Sequence, residues 1–233
     1  MGDFITVETL EHDASFKVYR AAPEGRPRGA IIVIQEIFGV NAGIRAKCDT
    51  LAAKGWLAFA PDLFWRVKPS IELDPDVPEQ FKQALGYMSQ FKPDDGVRDI
   101  EAVIRAARAE LGAGGKVGVV GFCLGGRMAY LTAARTDIDA SVAYYGGGID
   151  SLLGEAHAIA RPLLLHFAEQ DHFIDAAARE KISNALKDNK RVAIHTYAGV
   201  DHGFATEIGN RRSEPAASEA DARTEAFFSE HLQ

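Results

Sequence analysis

The chain has 233 residues, 47% of them apolar, with 22 Gly, nine Pro, two Cys and a formal net charge of −7. That apolar content supports one sizeable core and excludes global disorder. The 33 acidic against 26 basic residues, with no long basic run, exclude nucleic acid and an anionic membrane as expected partners.

Two strand-like segments, Phe4–Leu10 and Ser15–Ala22, flank the turn Glu11-His12-Asp13 and predict an N-terminal hairpin. Ala30–Gln35 is then a continuous apolar, β-branched run, as expected of a strand covered on both faces. A helix is predicted over Asn41–Lys54, with Asn41 as N-cap and Gly55 just past the end, followed by a strand at Trp56–Ala60. Residues 66–79 carry three prolines and read as an irregular excursion. Helical patterns cover Gln80–Phe91 and Asp94–Leu111, then a strand Lys116–Phe122 and a helix Leu124–Arg135. Strands Ala140–Tyr145 and Pro162–Phe167 bracket a glycine-rich and then helical stretch; helix Ile174–Asp188, strand Arg191–Tyr197 and helix Ala216–His231 complete the chain. Strands alternating with helices predict an α/β fold, a mostly parallel sheet with helices on both faces, as one domain over 1–233.

No apolar run reaches the ~18 residues of a membrane span, and the opening MGDFITVETL lacks a basic and an apolar leader segment. A soluble, cytoplasmic monomer with free thiols is expected. The spacings of a zinc site are missing.

The sharpest local signal is Gly121-Phe122-Cys123-Leu124-Gly125-Gly126, between an apolar strand and a helix. This is the context of a nucleophile elbow, the Gly-X-Ser-X-Gly turn of α/β-hydrolases, with Cys in place of Ser. A strained turn lifts the nucleophile above the sheet, and flanking side chains would strike neighbouring backbone. The N–H groups and positive dipole end of the following helix favour a thiolate and a developing oxyanion. A buried structural cysteine is the bland alternative.

Chain order strengthens the elbow. Such a hydrolase places an acid after a late strand and a histidine near the end. Asp171 follows the strand Pro162–Phe167, and His202 follows Arg191–Tyr197, both on the edge of the sheet that carries the elbow. Imidazole titrates near neutrality and can hold the thiol proton, while a carboxylate orients it. Asp201, Asp175 and His172 compete for these roles, and Asp171 has a helix-capping alternative.

The segments QEIFGVN at 35–41, APDLF at 60–64, GFCLGG at 121–126, YYG at 144–146, QDHF at 170–173 and HGF at 202–204 together resemble the dienelactone hydrolases, over essentially the whole chain. The resemblance implies an α/β-hydrolase fold and a triad of Cys123, His202 and Asp171. It also implies an oxyanion hole from the N–H groups of Ile37 and Leu124, with no metal and no organic cofactor. Glu36 matches the glutamate that in this family takes the resting thiol's proton when substrate binds. The implied activity is hydrolysis of a lactone or activated ester through an acyl-thioester. A broader carboxylesterase or thioesterase on neutral substrates, and a non-catalytic thiol-sensing relative, are the rival readings.

The departures are informative. The family holds its substrate carboxylate with two arginines, one closing a His-X-Phe-Ala-Arg motif and one after the proline-rich excursion. Here Thr206 and Phe81 stand in those places. Neither reproduces a charge-assisted contact of ~1.5–3 kcal/mol. A less anionic substrate is therefore expected, and Glu36 is expected to lack the arginine that restrains it. Arg66, Lys68, Arg127 and Arg211 are possible substitutes, with solvated surface charge as their ordinary role. Of Tyr144 and Tyr145, one is expected at the substrate and one in the core. Phe38, Trp65 and Phe173 are candidate pocket walls, and Cys48 is expected to be buried and inert.

Overall fold

The computed structural model describes residues 1–232. Its strands are β1 (Asp3–Glu8), β2 (Ser15–Ala21), β3 (Ala30–Ile34), β4 (Leu57–Pro61), β5 (Val117–Phe122), β6 (Ala140–Tyr144), β7 (Leu163–Ala168) and β8 (Val192–Tyr197). Its α-helices are α1 (Ala42–Ala53), α2 (Pro78–Met88), α3 (Pro93–Leu111), α4 (Leu124–Arg135), α5 (Ala176–Leu186) and α6 (Ala216–His231). The strands form one sheet in the order β1-β2-β4-β3-β5-β6-β7-β8. β1 and β2 pair antiparallel from Asp3↔Arg20 to Glu8↔Ser15, β2 joins β4 antiparallel, and the remaining neighbours are parallel. Every residue of β3 to β7 is buried, whereas β8, at the edge, alternates between partly buried and exposed positions for most of its length. Continuous apolar runs thus mark the covered strands, as parallel sheets require.

Handedness sorts the helices. α1 carries the chain from β3 outward to β4, whereas α3 carries it back across β3 to β5. Right-handed crossovers running in opposite directions must lie on opposite faces. α4 and α5 continue in the direction of α3 and share its face, and α6 lies with α1, the two bridged by Lys47 and Asp221 at 3.3 Å. The direction of winding reverses between β3 and β5, so the loops leaving these two strands part and open a crevice at their C-terminal ends. Glu36–Phe38 follows β3 and Cys123 follows β5, which places both at that crevice.

Local chemistry adjusts the boundaries. Asn41 caps α1 by accepting from the Ile44 N–H at 3.2 Å, and Asp175 caps α5, so that helix starts at Ala176. α2 starts at Pro78, where the missing N–H costs nothing. The helical stretch expected between β6 and β7 is instead two short 3-10 segments, Ile149–Ser151 and Leu153–Ala158. Gly146, Gly147, Gly148 and Gly154 weaken helix propensity there.

The turn after β5 is closely packed by backbone. Cys123 has φ 55° and ψ −112°, in the left-handed region, and its N–H donates to the Tyr144 carbonyl at the end of β6 (3.1 Å). A Cβ at Gly121 would sit 1.9 Å from the Gly125 carbonyl oxygen, and one at Gly125 would sit 2.3 Å from the Ile34 carbonyl oxygen. Both obstacles are backbone, which cannot move aside. Gly125→Ala is therefore expected to lower unfolding stability by about 3 kcal/mol or more. Gly86→Ala, in open space on α2, is expected to stabilise by up to about 1 kcal/mol. Denaturant midpoints compare the two, and equal effects would contradict the packing described.

Candidate active site

The loops after β5, β7 and β8 bring Cys123, Asp171 and His202 together. Asp171 and His202 are both buried, and His202 Nδ1 bonds the Asp171 carboxylate at 2.9 and 3.1 Å. One carboxylate oxygen also accepts from the N–H groups of Phe173 (2.9 Å) and Ile174 (3.1 Å). Asp171 thus shapes its own turn and orients the imidazole at once, while the cap of the helix that follows is Asp175 and not Asp171. The ring is packed by Tyr145 on one side and Phe173 on another, each 4.9 Å between centroids.

His202 Nε2 is buried and has no well-formed hydrogen bond, yet it lies within interaction range of the Cys123 sulfur. Burial disfavours a charge on this histidine. Asp171 and the Cys123 sulfur outweigh that penalty and push its pKa up to about 10. The rival candidates lie elsewhere: Asp201 pairs with His172 on the surface (2.8 Å), and Asp175 caps α5. Cys48 is fully buried, with its thiol pushed up by desolvation.

A cavity of about 230 Å³ opens over Cys123 and His202. Ile37 and Leu124 line it; as the first residue of α4, Leu124 has an N–H with no helical acceptor. Phe38 and Phe81, 5.8 Å apart, form an apolar wall that Leu85 and Met88 of α2 extend, and Phe173 borders the opening. Among the described residues no group of three or more His, Cys, Asp or Glu is arranged to hold a metal ion, and no helix is long and apolar enough to cross a membrane.

Several expectations need correction. Neither tyrosine lines this cavity: Tyr144 points to α6, where its hydroxyl meets Thr224 (2.6 Å) and Asp221 (3.1 Å). Tyr145 is wholly buried beneath His202, with its phenol pushed well up by burial and by the Glu36 charge. Thr206 is buried too; its hydroxyl donates to the Ile208 carbonyl (3.1 Å), and it faces a smaller void beside Glu36. Trp65 stacks on Phe16 and donates to Asp99 (2.9 Å), the carboxylate that also pairs with Arg66, so both lie outside the site. Lys68 is exposed.

Glu36 does not lack an arginine. Arg211, five residues beyond Thr206, crosses the Phe38 ring (5.4 Å) and places Nη2 3.4 Å from Glu36 Oε2. The other carboxylate oxygen of Glu36 is buried without a partner. Arg211 and Arg127 both line the cavity, so neither is the solvated surface charge that sequence alone suggested. Two signals pointed this way: the apolar residues 81, 85 and 88 share one helical face, and Arg127 lies one turn past Cys123. Nothing local marked Arg211.

The description "Dienelactone hydrolase family" belongs to the family model that matches residues 16–232. A protein of Azospirillum brasilense is 45% identical over 223 residues, covering 94% of this chain and 95% of its own. A carboxymethylenebutenolidase of Pseudomonas putida is 37% identical over 214 residues, covering 92% of this chain and 91% of its own. A crystal structure of a protein from Klebsiella pneumoniae superposes with a TM-score of 0.86 at 29% identity, over 99% of each chain.

The His202 shift has a sign. A histidine raised from 6.5 to about 10 holds its proton in the folded state across that interval. Its stabilising contribution is complete below the unfolded value and is lost as pH rises through the folded one. The difference in urea stability between the wild type and His202→Gln is expected to narrow steadily from pH 6.5 to about 10. A difference that stays flat would contradict a raised His202.

Proposed function

The chain belongs to the dienelactone hydrolase family, and we propose that it hydrolyses a lactone or activated ester through a thioester on Cys123. The observation that carries this reading is the convergence of three groups. Cys123 sits strained at the start of α4, His202 is fixed by Asp171 with Nε2 left uncommitted, and a cavity opens over both.

In the proposed cycle the Cys123 thiolate attacks the acyl carbonyl, forming the C–S bond. The N–H groups of Ile37 and Leu124 receive the oxyanion. The C–O bond then breaks, and His202 gives its proton to the departing oxygen. A water that loses its proton to His202 attacks the thioester, releasing the acid and restoring the thiolate. Thiolate attack suits good leaving groups such as enolates. Glu36 is proposed as the acceptor for the resting thiol's proton: its pair with Arg211 is long, and its second oxygen is unpartnered. Such a carboxylate is free to turn when the cavity fills.

A second reading, a broader esterase acting on neutral substrates, draws support from the apolar wall of Phe38, Phe81, Leu85 and Met88. Turnover of cis- and trans-dienelactone, a neutral enol-lactone and p-nitrophenyl acetate by wild type and Cys123→Ala separates these readings. Loss of at least about 10³-fold in kcat/KM on substitution supports the nucleophile. Activity confined to the neutral substrates supports the second reading. No turnover of any substrate, or an alanine variant as active as the wild type, would overturn both.

A further inference from the structure

Two guanidinium groups line the cavity, and their surroundings differ. Arg211 has a carboxylate partner in Glu36 at Nη2, although its Nε, like that of Arg127, is buried without an acceptor. Arg127 has no such partner: its side chain makes no hydrogen bond or ion pair among the described residues, and its Nε is buried without an acceptor. Burial lowers its pKa, opposed by the Cys123 sulfur. A half-buried guanidinium whose Nε is cut off from water and left unpaired is destabilising unless something in the working protein completes it.

The placement of Arg127 suits a ligand in this cavity. It is the fourth residue of α4, and its backbone N–H donates to the Cys123 carbonyl (3.2 Å), so its position follows the nucleophile rigidly. Its guanidinium lies against Gly148, where a Cβ would stand 3.5 Å from Nη1. Gly147, beside it, has no atom within 4 Å of an added Cβ. A larger residue at either position would take up space on that side of the cavity.

We propose that Arg127 is the substrate-anion residue of this protein. It binds a carboxylate carried by the lactone or ester, from a different wall than the family's arginines, whose places Phe81 and Thr206 hold. This rests on the hydrolase reading above and reverses the expectation of a less anionic substrate. A guanidinium meets a carboxylate with paired, charge-assisted N–H bonds. The competing role, a counter-charge for the Cys123 thiolate alone, would act equally on anionic and neutral reagents.

That difference supplies the test. Alkylation of Cys123 is followed by peptide mass with iodoacetate and with iodoacetamide, in the wild type, Arg127→Met and Arg127→Lys. The rate ratio, anionic over neutral reagent, is read within each protein, so a change in thiol reactivity alone cancels, and near-UV circular dichroism checks that each variant is folded. The ratio is expected to fall about tenfold or more in Arg127→Met and to stay within about threefold of the wild type in Arg127→Lys. An unchanged ratio in Arg127→Met, or equal falls in both variants, would overturn the assignment. A ratio that depends on Arg127 in a protein that turns over no lactone or ester overturns the hydrolase reading and leaves the anion site standing. A protein that turns over but whose ratio ignores Arg127 does the reverse.

Discussion

Cys123 stands where three strands end within backbone contact of one another, and that crowding shapes everything around it. Its own φ is positive, its N–H is tied to the end of β6, and the glycines beside it admit the carbonyls of α4 and β3 at distances no side chain allows. A strained backbone persists only where its surroundings over-determine it. Here the parallel sheet does so, because β3, β5 and β6 are buried along their whole length and cannot relax. The strain holds the sulfur at the crevice and starts α4 directly behind it. The same rigidity fixes Leu124 and Arg127 relative to the sulfur, since both belong to the first turns of that helix.

Around this point charge is arranged in pairs. His202 and Asp171 form a buried one and Glu36 and Arg211 a partly buried one, while Arg127 has no carboxylate partner among the described residues. In a low-dielectric crevice the pairing with Asp171 bears on the protonation of His202. The raised His202 shows the effect: burial alone would lower it, and its neighbours reverse the sign. Arg211 reaches Glu36 from the irregular chain beyond His202, five residues past Thr206.

Much of this was legible in the sequence, for physical reasons. The covered strands announced themselves as β-branched runs, the elbow as glycines around a cysteine, and Asp171 and His202 as polar residues just past strand ends. Helices α4 and α6 matched their predicted spans, although neither has a side-chain N-cap. The 3-10 segments were missed because apolar spacing cannot register the weakness that four glycines introduce. Tyr144 and Tyr145 are adjacent, and pattern alone could not say which face each would take; one bonds α6 and the other underlies His202. Arg211 was illegible because its role depends on where an irregular loop returns, which no periodicity encodes. The reading of Thr206 was limited for the same reason: four basic residues were open as substitutes for the missing charge, and sequence could not choose Arg211 among them.

The covalent intermediate is the most direct thing to measure. A p-nitrophenyl ester mixed with the protein and quenched in acid within the first turnovers, followed by peptide mapping, reads it. The expected result is a burst of p-nitrophenolate matched by one acyl group on the Cys123 peptide, removed by hydroxylamine as a thioester is. Acyl mass on another residue, or nitrophenolate release with no adduct at any quench time, would contradict a cysteine nucleophile in this fold.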